Sequence, residues 1–204
     1  VIAGFTGYDK GIEGDEIRSC VSNLPDIKTE SKEEVDIPAI LKTKWEREGR
    51  YDIEKEELDK FFAKRKLPRT PRNYVIKWLT DYVREYGIDG FRCDTAKHVE
   101  LEAWKALHDE AEVALREYKQ ECSIKGKKIL DKAIDVKKDD EFWTTGEAWG
   151  HGTGKDEFFT VARFHSMINF DFKDVSMNNV QEKYDNLAVI NSNDYDQSFN
   201  LINY

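Results

Sequence analysis

The chain has 204 residues, 36% charged and 39% hydrophobic, enough for one sizeable core or for part of a larger one. A net charge of −9 argues against a nucleic-acid partner, which needs a basic face, and no apolar run approaches the length of a membrane span. The three cysteines, Cys20, Cys93 and Cys122, are too far apart for a zinc site or a disulfide framework.

Residues 1–36 read as loop, with glycine, proline and charge between short apolar runs. Within them Leu24-Pro25-Asp26-Ile27 stands out, because Pro25 sets an extended turn that presents Asp26. No signal-peptide pattern opens the chain, and a start at Val1 suggests an excised or processed segment. From Ile37 to Lys66 the pattern is helical. Pro38 suits a first helical position, Ile40, Leu41 and Trp45 make a stripe, and a second helix after Asp52 carries Leu58, Phe61 and Phe62 on one face. These read as surface helices of an inserted subdomain.

Thr70-Pro71 predicts the next helix start, with Thr70 as cap and Pro71 in the first turn. Tyr74, Val75, Trp78, Leu79, Tyr82, Val83 and Tyr86 predict its apolar face, and Gly87 its left-handed end. Ile88 to Asp94 reads as a short buried strand. A further helix runs from about Glu100 to Glu121, and residues 122–140, with the basic cluster at 125–128, read as a solvated loop or short extra helix. Strands are predicted at 142–149, 167–170 and 199–204, with helices over Lys155 to Phe164 and Ser176 to Leu187 between them.

Alternating helices and strands imply parallel pairing, either in an open sheet or in half of a (β/α)₈ barrel. No glycine-rich phosphate loop follows any of these strands, which counts against a nucleotide-binding sheet. Acidic strand ends favour the barrel, where active sites draw on the C-terminal ends of several strands. The expected fold is therefore α/β, a partial (β/α)₈ TIM barrel of about four strands. Residues 1–69 would belong to an inserted loop-rich domain and 70–204 to the central barrel.

Residues two apart on a strand share a side, so Arg92 and Asp94 should project together, while Cys93 turns away as a core thiol. If 88–94 and 141–147 are neighbours, Asp94 and Glu147 share a cleft. Arg92 would keep Asp94 ionised, and Glu147, beside Gly146 and Trp149, would be more desolvated and raised in pKa. That division suits a retaining glycosidase, with Asp94 as nucleophile and Glu147 as acid and then base. Two unrelated rim carboxylates are the plain alternative. A metal hydrolase is another, because Asp94 with His98 and Glu147 with His151 each set a carboxylate four residues before an imidazole. His108 and His165 read as structural.

The run Gly90-Phe91-Arg92-Cys93-Asp94-Thr95-Ala96-Lys97-His98 resembles the second signature region of the α-amylase family, glycoside hydrolase family 13. Gly146-Glu147-Ala148-Trp149 resembles its third region, and Leu24-Pro25-Asp26-Ile27 its additional acidic region. The longer runs through Leu101 and Gly152 are most similar to bacterial periplasmic members. Cys93, where aliphatic residues are usual, is a mild departure.

This resemblance implies retaining endo-hydrolysis of α-1,4-glucosidic bonds in starch or maltooligosaccharides, in a periplasmic or extracellular parent protein. It assigns Asp94 as nucleophile, Glu147 as acid/base and Arg92 as the residue orienting Asp94. Lys97 and His98 would line the leaving-group side, and Trp149 and His151 complete the expected substrate-binding set. A structural Ca²⁺ would take Asp26 and the backbone carbonyl of His98, an oxygen set suited to that ion. The family's first region and the third catalytic carboxylate of its fourth region are not in these 204 residues. The stretch is therefore expected to be inactive alone and to self-associate through open sheet edges. A transglycosylase or debranching relative, or a non-catalytic starch-binding protein of the same fold, remains open.

Overall fold

The computed structural model describes residues 27–125, 141–152, 154–170 and Asp185. Asp26, the helix expected over Ser176 to Leu187 and the strand expected at 199–204 lie outside the described residues, apart from Asp185. The chain forms two compact units, residues 1–81 and 82–204.

The first unit carries α1 (Ala39–Arg47), α2 (Tyr51–Arg65) and most of α3 (Pro71–Tyr86). Pro38 is the residue before the first turn of α1 rather than inside it. Trp45, Leu58, Phe61, Phe62 and Tyr74 are buried together, so the predicted face of α2 packs as the spacing requires. Ile40, placed in the stripe of α1, is exposed. Lys66 ends α2 in the left-handed region, and its N–H returns to the Phe62 carbonyl.

Helix α3 departs from its predicted face. Leu79, Tyr82 and Tyr86 are exposed, while Ile76, Lys77 and Thr80 are buried beside Tyr74 and Val83. Lys77 satisfies its ammonium on Asp81 at 2.5 Å, and the Thr80 hydroxyl donates to the Ile76 carbonyl at 2.8 Å. These polar residues are buried by turning their polar ends back onto the helix itself, which hydropathy spacing does not register. Pro71 does open the helix, but the Thr70 hydroxyl, expected to cap it, has no hydrogen-bond partner among the described residues.

The second unit holds β1 (Gly90–Cys93), α4 (Leu101–Lys125), β2 (Trp143–Gly146), a single turn α5 (Glu157–Thr160) and β3 (Ser166–Met167). All three strands are shorter than predicted, and α5 is one turn where a helix over Lys155 to Phe164 was expected. Gly87, at φ +69°, ends α3 as predicted. Helix α4 continues through residues 122–125, beyond the end near Glu121 that the apolar spacing predicts.

The sheet is parallel, in the order β1-β2-β3, so strands adjacent in sequence are adjacent in space. Gly90 pairs with Trp143 and Cys93 with Gly146, then Thr145 with Ser166 and Gly146 with Met167. One face of this α/β layer is closed by Cys93, Ala96, Ala148, Ala162, Phe164 and Met167, with Trp104 of α4 against them. Val83, Ala111, Ala114, Leu115 and Phe142 make a second cluster, edged by Phe91. In-register pairs share a side, so Arg92 and Thr145 stand on the opposite face, where the Thr145 and Ser166 hydroxyls meet at 2.7 Å.

Candidate active site

Both main carboxyls stand just past the paired ends of β1 and β2. Alternation puts Arg92 and Asp94 on one side and Cys93, buried, on the other. Burial pushes the Cys93 thiol up to about 12, so it is an inert core group at ordinary pH. Arg92 and Asp94 are not buried as the strand reading expected. Their side chains are 40% and 70% exposed, because the described sheet ends at β1 and this face is open to solvent there.

The Arg92 guanidinium pairs with Asp94 through Nη1, and its Nη2 lies 3.5 Å from Glu147 Oε2. Asp94 is held below the usual carboxylate range, first by a side-chain hydrogen bond with Glu147 and next by the bond from Arg92. Glu147 is the more buried of the two, at 17% exposure against 70%, and the two carboxyls stand side by side under a single guanidinium.

The main chain binds the two strand ends together. Glu147 N–H donates to the Cys93 carbonyl at 2.8 Å, and Ala96 N–H donates to the Glu147 carbonyl at 2.6 Å. Thr95 sits in the left-handed region (φ 48°, ψ 43°), and its N–H donates to Glu147 Oε2 at 3.0 Å. Trp104 Nε1 of α4 donates to the Ala96 carbonyl at 2.9 Å and so anchors the turn that follows Asp94. Sequence reading missed both Thr95 and Trp104. A β-branched residue has no preference for positive φ, and Trp104 read only as part of an ordinary helix stripe.

Lys97 and His98 lie half-buried on the short 3₁₀ turn Ala96–His98, directly after the carboxylate turn. Trp149 is 69% exposed, with its ring 4.9 Å from that of Phe170. His151 turns inward at 7% exposure. Its Nε2 lies 3.1 Å from Asp156, whose other oxygen caps α5 by accepting from Phe158 N–H at 2.9 Å. Arg92, Asp94, Thr95 and Glu147 are therefore drawn together by direct contacts, while Lys97, His98, Trp149 and His151 occupy the turns that flank them.

Among the described residues no three His, Cys, Asp or Glu side chains gather where an ion could sit. His108 and His165 lie apart from the carboxyls. Their rings are 5.1 Å apart, and His165 Nδ1 accepts from Thr144 N–H at 3.1 Å.

Comparison with known proteins fits this arrangement. The family model for the α-amylase catalytic domain matches residues 54–203. The chain belongs to the α-amylase family. The periplasmic α-amylase of Escherichia coli (strain K12) is 43% identical over 160 residues, which cover 78% of this chain and 20% of that protein. The chain thus spans about a fifth of the length of this α-amylase-family relative. A solved Anoxybacillus α-amylase is 22% identical over 54% of this chain and 21% of its own, with a TM-score of 0.33, too low to bear on the fold.

Proposed function

We propose that this chain forms the central part of the catalytic (β/α)₈ barrel of a retaining α-glucan hydrolase, which cuts α-1,4-glucosidic bonds internally. The observation that carries the reading is the Arg92–Asp94–Glu147 constellation at the ends of two paired parallel strands. Membership of the α-amylase family and the sequential parallel strand order support the barrel. Two carboxyls on neighbouring strand ends, both within reach of Arg92, suit the double displacement of a retaining enzyme.

In the first step an oxygen of the ionised Asp94 forms a bond to the anomeric carbon as the glycosidic C–O bond breaks. Glu147 passes its proton to the departing oxygen. In the second step water attacks the same carbon, gives a proton to Glu147 and releases Asp94 as carboxylate. Arg92 keeps Asp94 charged and aimed throughout. Lys97 and His98 are assigned to the leaving-group side, and exposed Trp149 offers a face for a sugar ring. His151 supports that loop through Asp156, and its side chain is almost wholly buried.

Calcium is proposed on family grounds, with Asp26 and the His98 carbonyl among its ligands. Asp26 lies outside the described residues, and no step above rests on the ion. A periplasmic or extracellular setting follows the E. coli relative. The 204 residues alone, which lack the third carboxylate, are proposed to be inactive and to associate through strand edges.

Asp94→Asn in the full-length protein tests the reading. Release of reducing ends from amylose should fall to background, and turnover that survives the change overturns the nucleophile assignment. Transglycosylation or debranching would use the same two carboxyls, and product analysis on amylose and pullulan separates them from endo-hydrolysis. A starch-binding protein would bind without turnover.

A further inference from the structure

We infer that Thr95 is a positioning residue for the acid/base: a one-residue slip in the β1–β2 ladder frees its N–H to hold Glu147 Oε2, leaving Oε1 to carry the working proton. This rests on the roles proposed above for Asp94 and Glu147.

The slip is visible in the hydrogen bonds. In a regular parallel ladder, a residue whose N–H donates to one carbonyl accepts, through its own carbonyl, from the N–H two residues further along the partner strand. Glu147 N–H donates to the Cys93 carbonyl, so the Glu147 carbonyl should accept from Thr95 N–H. It accepts from Ala96 N–H instead, at 2.6 Å. Thr95 is the extra residue, folded into positive φ as in a bulge, and its N–H is turned from the carbonyl to the carboxyl of the same glutamate. Trp104, bonded to the Ala96 carbonyl, fixes the slipped register from outside the sheet.

The consequence is an unequal pair of oxygens. Glu147 Oε2 faces two donors, Thr95 N–H at 3.0 Å and Arg92 Nη2 at 3.5 Å. A proton placed on that oxygen would meet an N–H and a guanidinium, so the proton belongs on Oε1. During bond cleavage the proton leaves Oε1 for the departing sugar oxygen, and the charge left behind is received at Oε2 by donors already in place. The Thr95 side chain is exposed and takes no part, so the device is a main-chain one.

The test replaces the Thr95 amide by an ester in the full-length protein, which removes this N–H and leaves the side chain. Two substrates are compared: a maltooligosaccharide, whose leaving group needs protonation, and a 2,4-dinitrophenyl maltooligoside, whose leaving group does not. The oligosaccharide kcat/KM should fall about tenfold while the dinitrophenyl kcat/KM, which reports a first step that needs no acid, stays within about threefold, the effect of one lost hydrogen bond to a charged group. An equal fall on both would place the effect on Asp94 or on folding and overturn the proposal, and so would no fall on either. Thr95→Asn and Thr95→Gly keep the N–H and accept positive φ, so both should retain the wild-type ratio of the two rates. A selective loss on the oligosaccharide in both variants would credit the side chain and overturn the proposal even if the ester does not fold. Glu147→Gln separates the two failures. It should itself spare kcat/KM on the dinitrophenyl substrate, which reports the first step alone, and if that value falls as far as the oligosaccharide's, the acid/base assignment falls and the role of Thr95 falls with it.

Discussion

Arg92 Nη2 lies 3.5 Å from Glu147 Oε2, and the same guanidinium pairs with Asp94 through Nη1. The planar fork aims separate N–H groups at the two carboxyls in one fixed geometry, which a lysine ammonium, a point charge on a flexible stem, does not reproduce. Arg92→Lys in the full-length protein should therefore lower kcat/KM by roughly 10- to 100-fold, the size of one or two charge-assisted hydrogen bonds. Steady-state kinetics on a maltooligosaccharide measures it, and a change below twofold would remove Arg92 from the mechanism.

The acid side of the pH profile follows from Asp94. Its carboxyl is held down first by the bond with Glu147 and then by Arg92, and the nucleophile must be ionised. Activity should persist as pH falls through the ordinary aspartate value, near 3.9, and fail only below it. Arg92→Met removes one of the lowering contacts, so its acid limb should move to higher pH. Profiles of kcat/KM for both proteins decide this, and coincident acid limbs would show that Arg92 does not hold the charge.

Burial lowers the basicity of both His108 and His165. Glu112 and Asp109 act to raise that of His108, and Glu141 and Glu112 that of His165, but burial prevails over them, with Arg163 acting in the same direction. A histidine whose folded value lies below its unfolded one, near 6.5, binds its proton more readily unfolded. The stability linked to this pair is therefore present above about pH 6.5 and is lost as pH falls from there through the folded values. Urea midpoints at pH 7.5 and 5.5 should show the drop, and His108→Phe should flatten it. A drop of the same size in that variant would place the effect elsewhere.

Gly87 ends α3 at φ +69°, and a Cβ at that position would run into the Tyr118 ring. Gly87→Ala should cost about 1–3 kcal/mol, combining left-handed strain with overpacking. Thermal or urea unfolding measures it. Adding Tyr118→Leu to Gly87→Ala should recover the overpacking part only, and a Gly87→Ala protein as stable as wild type would mean the turn relaxes freely.

Several of these features were legible in the chain itself. Gly87 as a helix end, Arg92 and Asp94 on one side with Cys93 on the other, and the parallel order of three strands follow from short-range rules of spacing and backbone freedom. Misjudged features depended on what lies across from a residue. Leu79, Tyr82 and Tyr86 read as a core stripe but are exposed, because periodicity shows which residues share a face and not whether anything covers it. Lys77 and Thr80 are buried by bonds made within their own helix. The Thr95 slip left no trace in composition, since it is a property of two strands paired through Glu147 and not of either alone.

Cys93 gives a direct check on the packing under the site. It is 5% exposed in the cluster with Ala96, Ala148 and Met167, on the face opposite Asp94, and its thiol is pushed up to about 12. Thiol–disulfide reagents attack as the thiolate forms, so Cys93 should stay unlabelled by an aromatic disulfide at pH 8 in the native protein. Cys122, half-buried on α4, should label first of the two. Peptide mapping after timed exposure distinguishes them, and urea should bring Cys93 to the same rate as Cys122. Fast native labelling of Cys93 would mean that the layer beneath Asp94 opens readily, and the carboxyl pair would then lose the rigid support that its fixed hydrogen bonds require.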